Sequence, residues 1–237
     1  MAEQGLIESD GSTILVLDFG SQYSHLITRR FRDLNVRSVL LPCTQDLSKL
    51  PFRPCGIVFS GSGHSVFQDG APHVDPSVFE MDLPILGVCY GLHEIAWNQD
   101  KSNVIGSSKA EYGKATLGFS SPNGDAHQQS TLFEGFEEDT DKATVWMSHG
   151  DKLQRLPAAF TTIASTASAE FAAIAHQDKP IYGIQFHPEV EHSKQGNKIL
   201  SNFALRICKA NPSWTMEDFK VHEIERIRSL VGKQGQV

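Results

Sequence analysis

Apolar residues in this chain recur with two periods. In TILVLDF, Thr13 to Phe19, they run almost unbroken until Gly20, as in a strand buried on both faces of a parallel sheet. The next segment, SQYSHLITRRFRDLN, places Tyr23, Leu26, Ile27, Phe31 and Leu34 at helical spacing, with Ser21 in position to cap the helix. VRSVLLP, CGIVFSG and LPILGVC repeat the strand signature. Such alternation predicts an open, mostly parallel α/β sheet flanked by helices. Beyond Trp97, Gly and Ser punctuate short alternating runs in VIGSSKAEYGKATLGF and on to VWMSHG, which predicts added antiparallel strands. FTTIASTAS, FAAIAHQ and PIYGIQF supply three more strands. KQGNKILSNFALRICKA then supplies a helix with Ile199, Leu200, Phe203, Ala204 and Ile207 on one side.

Composition adds exclusions. With 237 residues, 40% of them apolar, the chain can build one full core. A net charge of −7, with Lys and Arg scattered, argues against a nucleic-acid or anionic-membrane surface. No apolar run approaches the length of a membrane span and the N-terminus has no secretory pattern, so a cytoplasmic location is expected. Residues 1–12 are expected to form a flexible tail. Cys43, Cys55, Cys89 and Cys208 show neither disulfide-scaffold nor zinc-ribbon spacing, so each is expected to be a free thiol.

One of those thiols stands apart. Cys89 ends the strand ILGV and is flanked by Gly87 and Gly91 as G-x-C-x-G, the cysteine form of a nucleophile elbow. A helix N-terminus beneath such a sulfur lowers its pKa, and the N–H of Tyr90 is placed to stabilise an oxyanion. A thiol nucleophile needs a base. Of ten histidines, His187 follows the strand PIYGIQF and opens HPE; Glu189 can reach back to orient its ring, completing Cys-His-Glu. The same segment, HPEVEH, also offers His187, Glu189, Glu191 and His192 as metal ligands, but the histidine spacing of five and Pro188 do not suit one helical face. No metal is expected.

GVCYG and YGIQFHPEV, in the order Cys…His…Glu, resemble the class I (triad) glutamine amidotransferases. VLDFGSQY (Val16 to Tyr23), EYGKA (Glu111 to Ala115) and WMSHGDK (Trp146 to Lys152) are similar to the amidotransferase domain of the GMP synthases in particular. The resemblance implies a flavodoxin-like sheet over residues 13–210 and hydrolysis of L-glutamine to glutamate and ammonia through a Cys89 thioester. It also implies an oxyanion hole at Ser62 and Tyr90, and substrate contacts from Gly61, His93, Ser148, His149, Gly150 and Asp151. Residues 211–237 resemble the segment leading to an ATP-pyrophosphatase (synthetase) domain; ATP and Mg²⁺, used there to aminate XMP to GMP, are not expected to bind this chain.

Four positions in three segments depart from the family pattern. Ser60-Gly61-Ser62-Gly63 stands where SGGP is usual, His93 where CYGMQ has glutamine, and Ala110 where arginine is common. A second reading follows, of a catalytically weakened regulatory or docking module. A γ-glutamyl hydrolase would use the same elbow, but its expected secretory signal is absent. His64 reads as a solvated loop residue, and the acidic run at Glu137, Glu138, Asp139 and Asp141 as a solvated loop.

Overall fold

A computed structural model describes residues 12–119, 131–137 and 141–232; within it, nothing is assigned to the side chains at 107–109, 218, 222, 226, 229 and 230. The strands expected from apolar runs form as β1 (Ile14–Asp18), β2 (Ser38–Pro42), β3 (Gly56–Phe59), β4 (Ile85–Val88), β5 (Val104–Thr116), β6 (Thr144–Leu153), β7 (Phe160–Ala164), β8 (Ala173–His176) and β9 (Ile181–Ile184). Helices α1 (Ser24–Asp33), α2 (Tyr90–Gln99), α3 (Gly196–Ser201) and α4 (Met216–Val231) accompany them, and α3 runs on into a π-helical turn, Asn202–Ile207.

Seven strands make one sheet in the order β2-β1-β3-β4-β9-β8-β7, parallel from β2 to β9 with β8 and β7 antiparallel at one edge. β5 and β6 pair with each other in a separate antiparallel ribbon. The mixed α/β fold with a mostly parallel sheet is therefore the one the alternation implied. The continuous apolar runs are explained by two cores, one on each face. Ile14, Val16, Val58, Leu86, Val88 and Ile184 pack in one; Leu15, Leu17, Ile57, Phe59, Ile85 and Ile181 pack in the other. Successive side chains alternate faces, so a strand covered twice must be apolar at every position.

Two local expectations are corrected. Helix α1 begins at Ser24 without a side-chain cap, and the Ser21 hydroxyl accepts instead from Tyr23 N–H at 3.0 Å. Asp18 takes the turn: its Oδ1 accepts from Gly20 N, Ser21 N and the Ser24 hydroxyl, because a carboxylate is a stronger acceptor than a hydroxyl. The SHGD segment, which reads as a turn by residue type, lies inside β6, held by pairing to β5 across an irregular register between Gly106 and Glu111. The expected tail at 1–12 lies outside the described residues except for Ser12, which is buried and accepts from Asn211 N at 3.1 Å. Glu138 and Asp139 of the acidic loop, and residues 233–237, also lie outside them. Among the described residues, no helix is long and apolar enough to cross a membrane.

Candidate active site

β4 and β9 are neighbours paired through Val88 and Ile184, so the segments leaving their carboxyl ends emerge side by side, where open α/β sheets place ligands. Cys89 follows β4 directly and is the N-cap of α2, with φ +53° and ψ −102°. A Cβ at Gly87 would fall 2.4 Å from the Gly91 carbonyl oxygen, and one at Gly91 would fall 2.5 Å from that of Phe59. The elbow therefore packs backbone on backbone, as the flanking glycines implied. Cys89 N–H donates to Ile184 O at 2.7 Å, and its thiol points to Ser148 O at 3.6 Å on β6. The backbone N–H of Tyr90 opens α2 and has no acceptor within the helix.

From β9, the chain carries His187 to the same place. Its Nδ1 lies 2.7 Å from Glu189 Oε1, Cys89 faces its ring closely enough to help raise its pKa, and its backbone N–H donates to Trp146 O at 3.0 Å. The edge of Tyr23 meets the ring at 5.5 Å. Burial works to lower the His187 pKa, but the Glu189 carboxylate and the hydrogen bonds to Cys89 and Glu189 overcome it and leave it well above the ordinary value. Arg30 Nε donates to Glu189 O at 2.8 Å, tying the HPE turn to α1.

That turn rests on Gly196, a residue that no motif in the sequence marks. A Cβ there would fall 1.9 Å from Pro188 O and 2.6 Å from its carbonyl carbon. Gly196→Ala must therefore push the backbone between His187 and Glu189. We expect a loss of about 2–4 kcal/mol in unfolding free energy, together with lower activity, measured by denaturant titration and turnover of the same variant. Unchanged stability would refute the close packing.

Cys89 and His187 border a cavity of about 470 Å³. Ser62, Tyr90, His93, Ser148, His149, Gly150 and Asp151 line it, and exposed His64 stands at its rim. Gly61 does not line it; it lies behind His187, where a Cβ would come 3.3 Å from the imidazole Cε1. Asp151 is buried, and burial pushes its carboxyl up against the opposing influence of Ser65 and His149. His149 Nδ1 donates to Asp151 O at 2.8 Å, and its Nε2 lies 3.3 Å from Glu111 Oε2. Residues not anticipated are Ser21, Tyr23, Ser65 and Tyr112, all on the lining, and Gln185, whose Nε2 lies 3.9 Å from Cys89 Sγ. A glutamine between Ile184 and Phe186, closing the apolar run of PIYGIQF, was the available signal for the last. His192 packs its ring on Trp146 at 4.5 Å.

A cysteine on a strand-to-helix elbow, beside a histidine held by a glutamate, is the arrangement of a thiol nucleophile and its base on an open α/β sheet. The sequence model of the class-I glutamine amidotransferases matches residues 15–207, and the chain belongs to that family. It is 55% identical over its whole length to a GMP synthase [glutamine-hydrolyzing] of Aspergillus fumigatus, and 51% identical over 225 residues to that of Saccharomyces cerevisiae. It spans 42% and 41% of those relatives' lengths. Among solved structures, a putative GMP synthase subunit protein from Thermoplasma acidophilum superposes with a TM-score of 0.67 at 29% identity. That match covers 92% of this chain and all of that one. A glutamine amidotransferase of Thermotoga maritima, at 18% identity and a TM-score of 0.57 over 86% of this chain and 88% of its own, shares the fold.

Proposed function

We propose that this chain is the glutaminase part of a GMP synthase-type ligase, hydrolysing L-glutamine and supplying ammonia for the amination of XMP to GMP. The observation that carries the reading is His187 placed between Cys89 and Glu189 at the ends of adjacent strands. Cys89 Sγ attacks the side-chain carboxamide carbon as its proton passes to His187. The tetrahedral oxyanion is met by the N–H groups of Tyr90 and Ser62. The C–N bond then breaks, His187 protonates the departing nitrogen, and ammonia leaves a glutamyl thioester. Water, deprotonated by His187, attacks that thioester, and glutamate departs as Cys89 regains its proton. Ser148, His149, Gly150 and Asp151 hold the α-amino and α-carboxylate groups. His93 completes this wall of the pocket, and Gly61 leaves room for the base.

In this reading residues 13–210 are the amidotransferase domain and 211–237 lead toward a separate ATP-pyrophosphatase unit, to which ATP and Mg²⁺ belong. Four cysteines, none of them in a disulfide, fit a reducing compartment, the cytoplasm. The test is a mass spectrum after exposure to an electrophilic glutamine analogue at neutral pH. Cys89 should be modified selectively and Cys43, Cys55 and Cys208 spared. Equal labelling of Cys43 would refute the assignment.

The reading of a weakened module rested partly on Ser62. Its φ is negative, and its hydroxyl accepts from His64 N at 3.2 Å, so no glycine-only conformation has been lost. Restoring SGGP through Ser62→Gly and Gly63→Pro should leave kcat within about threefold, against the 10²–10³ that losing an oxyanion donor costs. Steady-state glutamate release decides it; a gain of tenfold or more would revive the weakened module.

A further inference from the structure

We infer that Gln185 is a catalytic hydrogen-bond donor to the Cys89 sulfur and that His93 positions its amide, in a relay from α2 through the end of β9 to the nucleophile. The inference rests on Cys89 being the reacting group, as proposed above. Gln185 Oε1 lies 2.9 Å from His93 Nε2, and Gln185 Nε2 lies 3.9 Å from Cys89 Sγ. Both side chains are buried, at 2% and 3% exposure, so each polar atom must find a partner within the protein or the cavity.

The polarity of the relay follows from chemistry. An amide oxygen only accepts, so Nε2 of His93 must carry the proton. Burial also keeps this imidazole neutral by lowering its pKa to about 4; the Gln185 hydrogen bond opposes that shift and the charge of His149 adds to it. With Oε1 committed to His93, the NH₂ group is the end that faces sulfur. Reversal would set an amide oxygen against a developing thiolate. Packing alone does not hold the amide there, because Gln185 also borders a second cavity of about 260 Å³, lined in part by Lys152, Leu153 and Phe171. The His93 hydrogen bond keeps the side chain from swinging into it. In the resting thiol the sulfur's proton points to Ser148 O, and the 3.9 Å contact is long. Loss of that proton makes sulfur a charged acceptor and draws the donor in.

The other titratable groups around the sulfur are His187 with Glu189 from the segment after β9, His149 and Asp151 from β6, and Tyr90 from α2. None is altered by changing Gln185. The test is the pH dependence of Cys89 alkylation by iodoacetamide, followed on the Cys89 peptide by mass spectrometry. A neutral reagent reads the thiolate whether or not glutamine is the substrate. Gln185→Leu should raise the pH of half-maximal reactivity by about one unit and slow alkylation near pH 7 about tenfold. His93→Leu should shift it in the same direction by less, and His93→Gln, whose amide can also donate to Oε1, should restore the parent profile. A parent-like profile in Gln185→Leu overturns the inference. If that variant does not fold, His93→Leu and His93→Gln decide the matter alone, and equal profiles overturn it. A shifted profile in a protein that releases no glutamate would instead overturn the glutaminase reading and leave the relay standing.

Discussion

Replacing Cys89 by alanine is expected to lower glutamate release by about 10⁴–10⁶, the scale on which removing a nucleophile from an intact site acts, while the fold survives. The thiol's contacts to Ser148 O at 3.6 Å and Gln185 Nε2 at 3.9 Å are long, and its residue is only one of many in its core cluster. The stability loss should therefore stay near 1 kcal/mol. A sharper result comes from Cys89→Gly. The residue sits at φ +53°, ψ −102°, a conformation that costs a side chain about 1–3 kcal/mol and glycine little. Although glycine forfeits about 0.5–1 kcal/mol of chain entropy, Cys89→Gly should be at least as stable as Cys89→Ala, and both should be inactive. Denaturant unfolding of the pair measures this. A Cys89→Gly protein clearly less stable than Cys89→Ala would show that the elbow stores no strain.

Glu189→Gln is expected to reduce kcat by about 10²–10⁴ with KM little changed, because the orienting group of such a triad acts in the transition state. It should also move the alkaline limb of the rate profile to lower pH. The sign follows from the site. His187 must be an imidazolium when nitrogen departs, and the proton it gives is the one it shares with Cys89, so the rate is lost as pH rises through the pKa of that pair. Burial alone would bring that pKa down; the Glu189 carboxylate, at 2.7 Å, is chief among the groups that hold it up. A neutral amide no longer does so, and the limb shifts toward acid. Glu189 is 1% exposed and its Oε2 has no hydrogen-bond partner, so solvent screens this pairing little. An alkaline limb that stays in place would mean that some group other than His187 protonates the leaving nitrogen.

How far each part was legible depended on how local its cause is. Strands β1, β3, β4 and β9 could be read directly, since burial on both faces demands apolar residues at consecutive positions, and each contributes to both cores. The elbow was legible because Gly87, Cys89 and Gly91 lie within five residues. The histidine–glutamate pair was legible because Pro188 fixes the turn that joins His187 to Glu189. The start of α1 was misread because Ser21 is a good cap by type, whereas Asp18, three residues earlier at the end of β1, is the better acceptor in space.

What the sequence determined by itself was thus the α/β class, the identity of the strands, and the local placing of Cys89, and of His187 beside Glu189. Each follows from side-chain period or from chemistry within a few residues. Tertiary structure alone decided that β4 and β9, about a hundred residues apart, pair with Val88 opposite Ile184, which brings Cys89, Gln185 and His187 to one edge. It also decided that SHGD runs through β6 in a ribbon that closes the pocket, that His93 meets Gln185, and that Gly196 lets α3 press on Pro188. Strand period says which face a residue occupies but not which strand lies beside it. Register and neighbour are settled by the packing of the whole sheet.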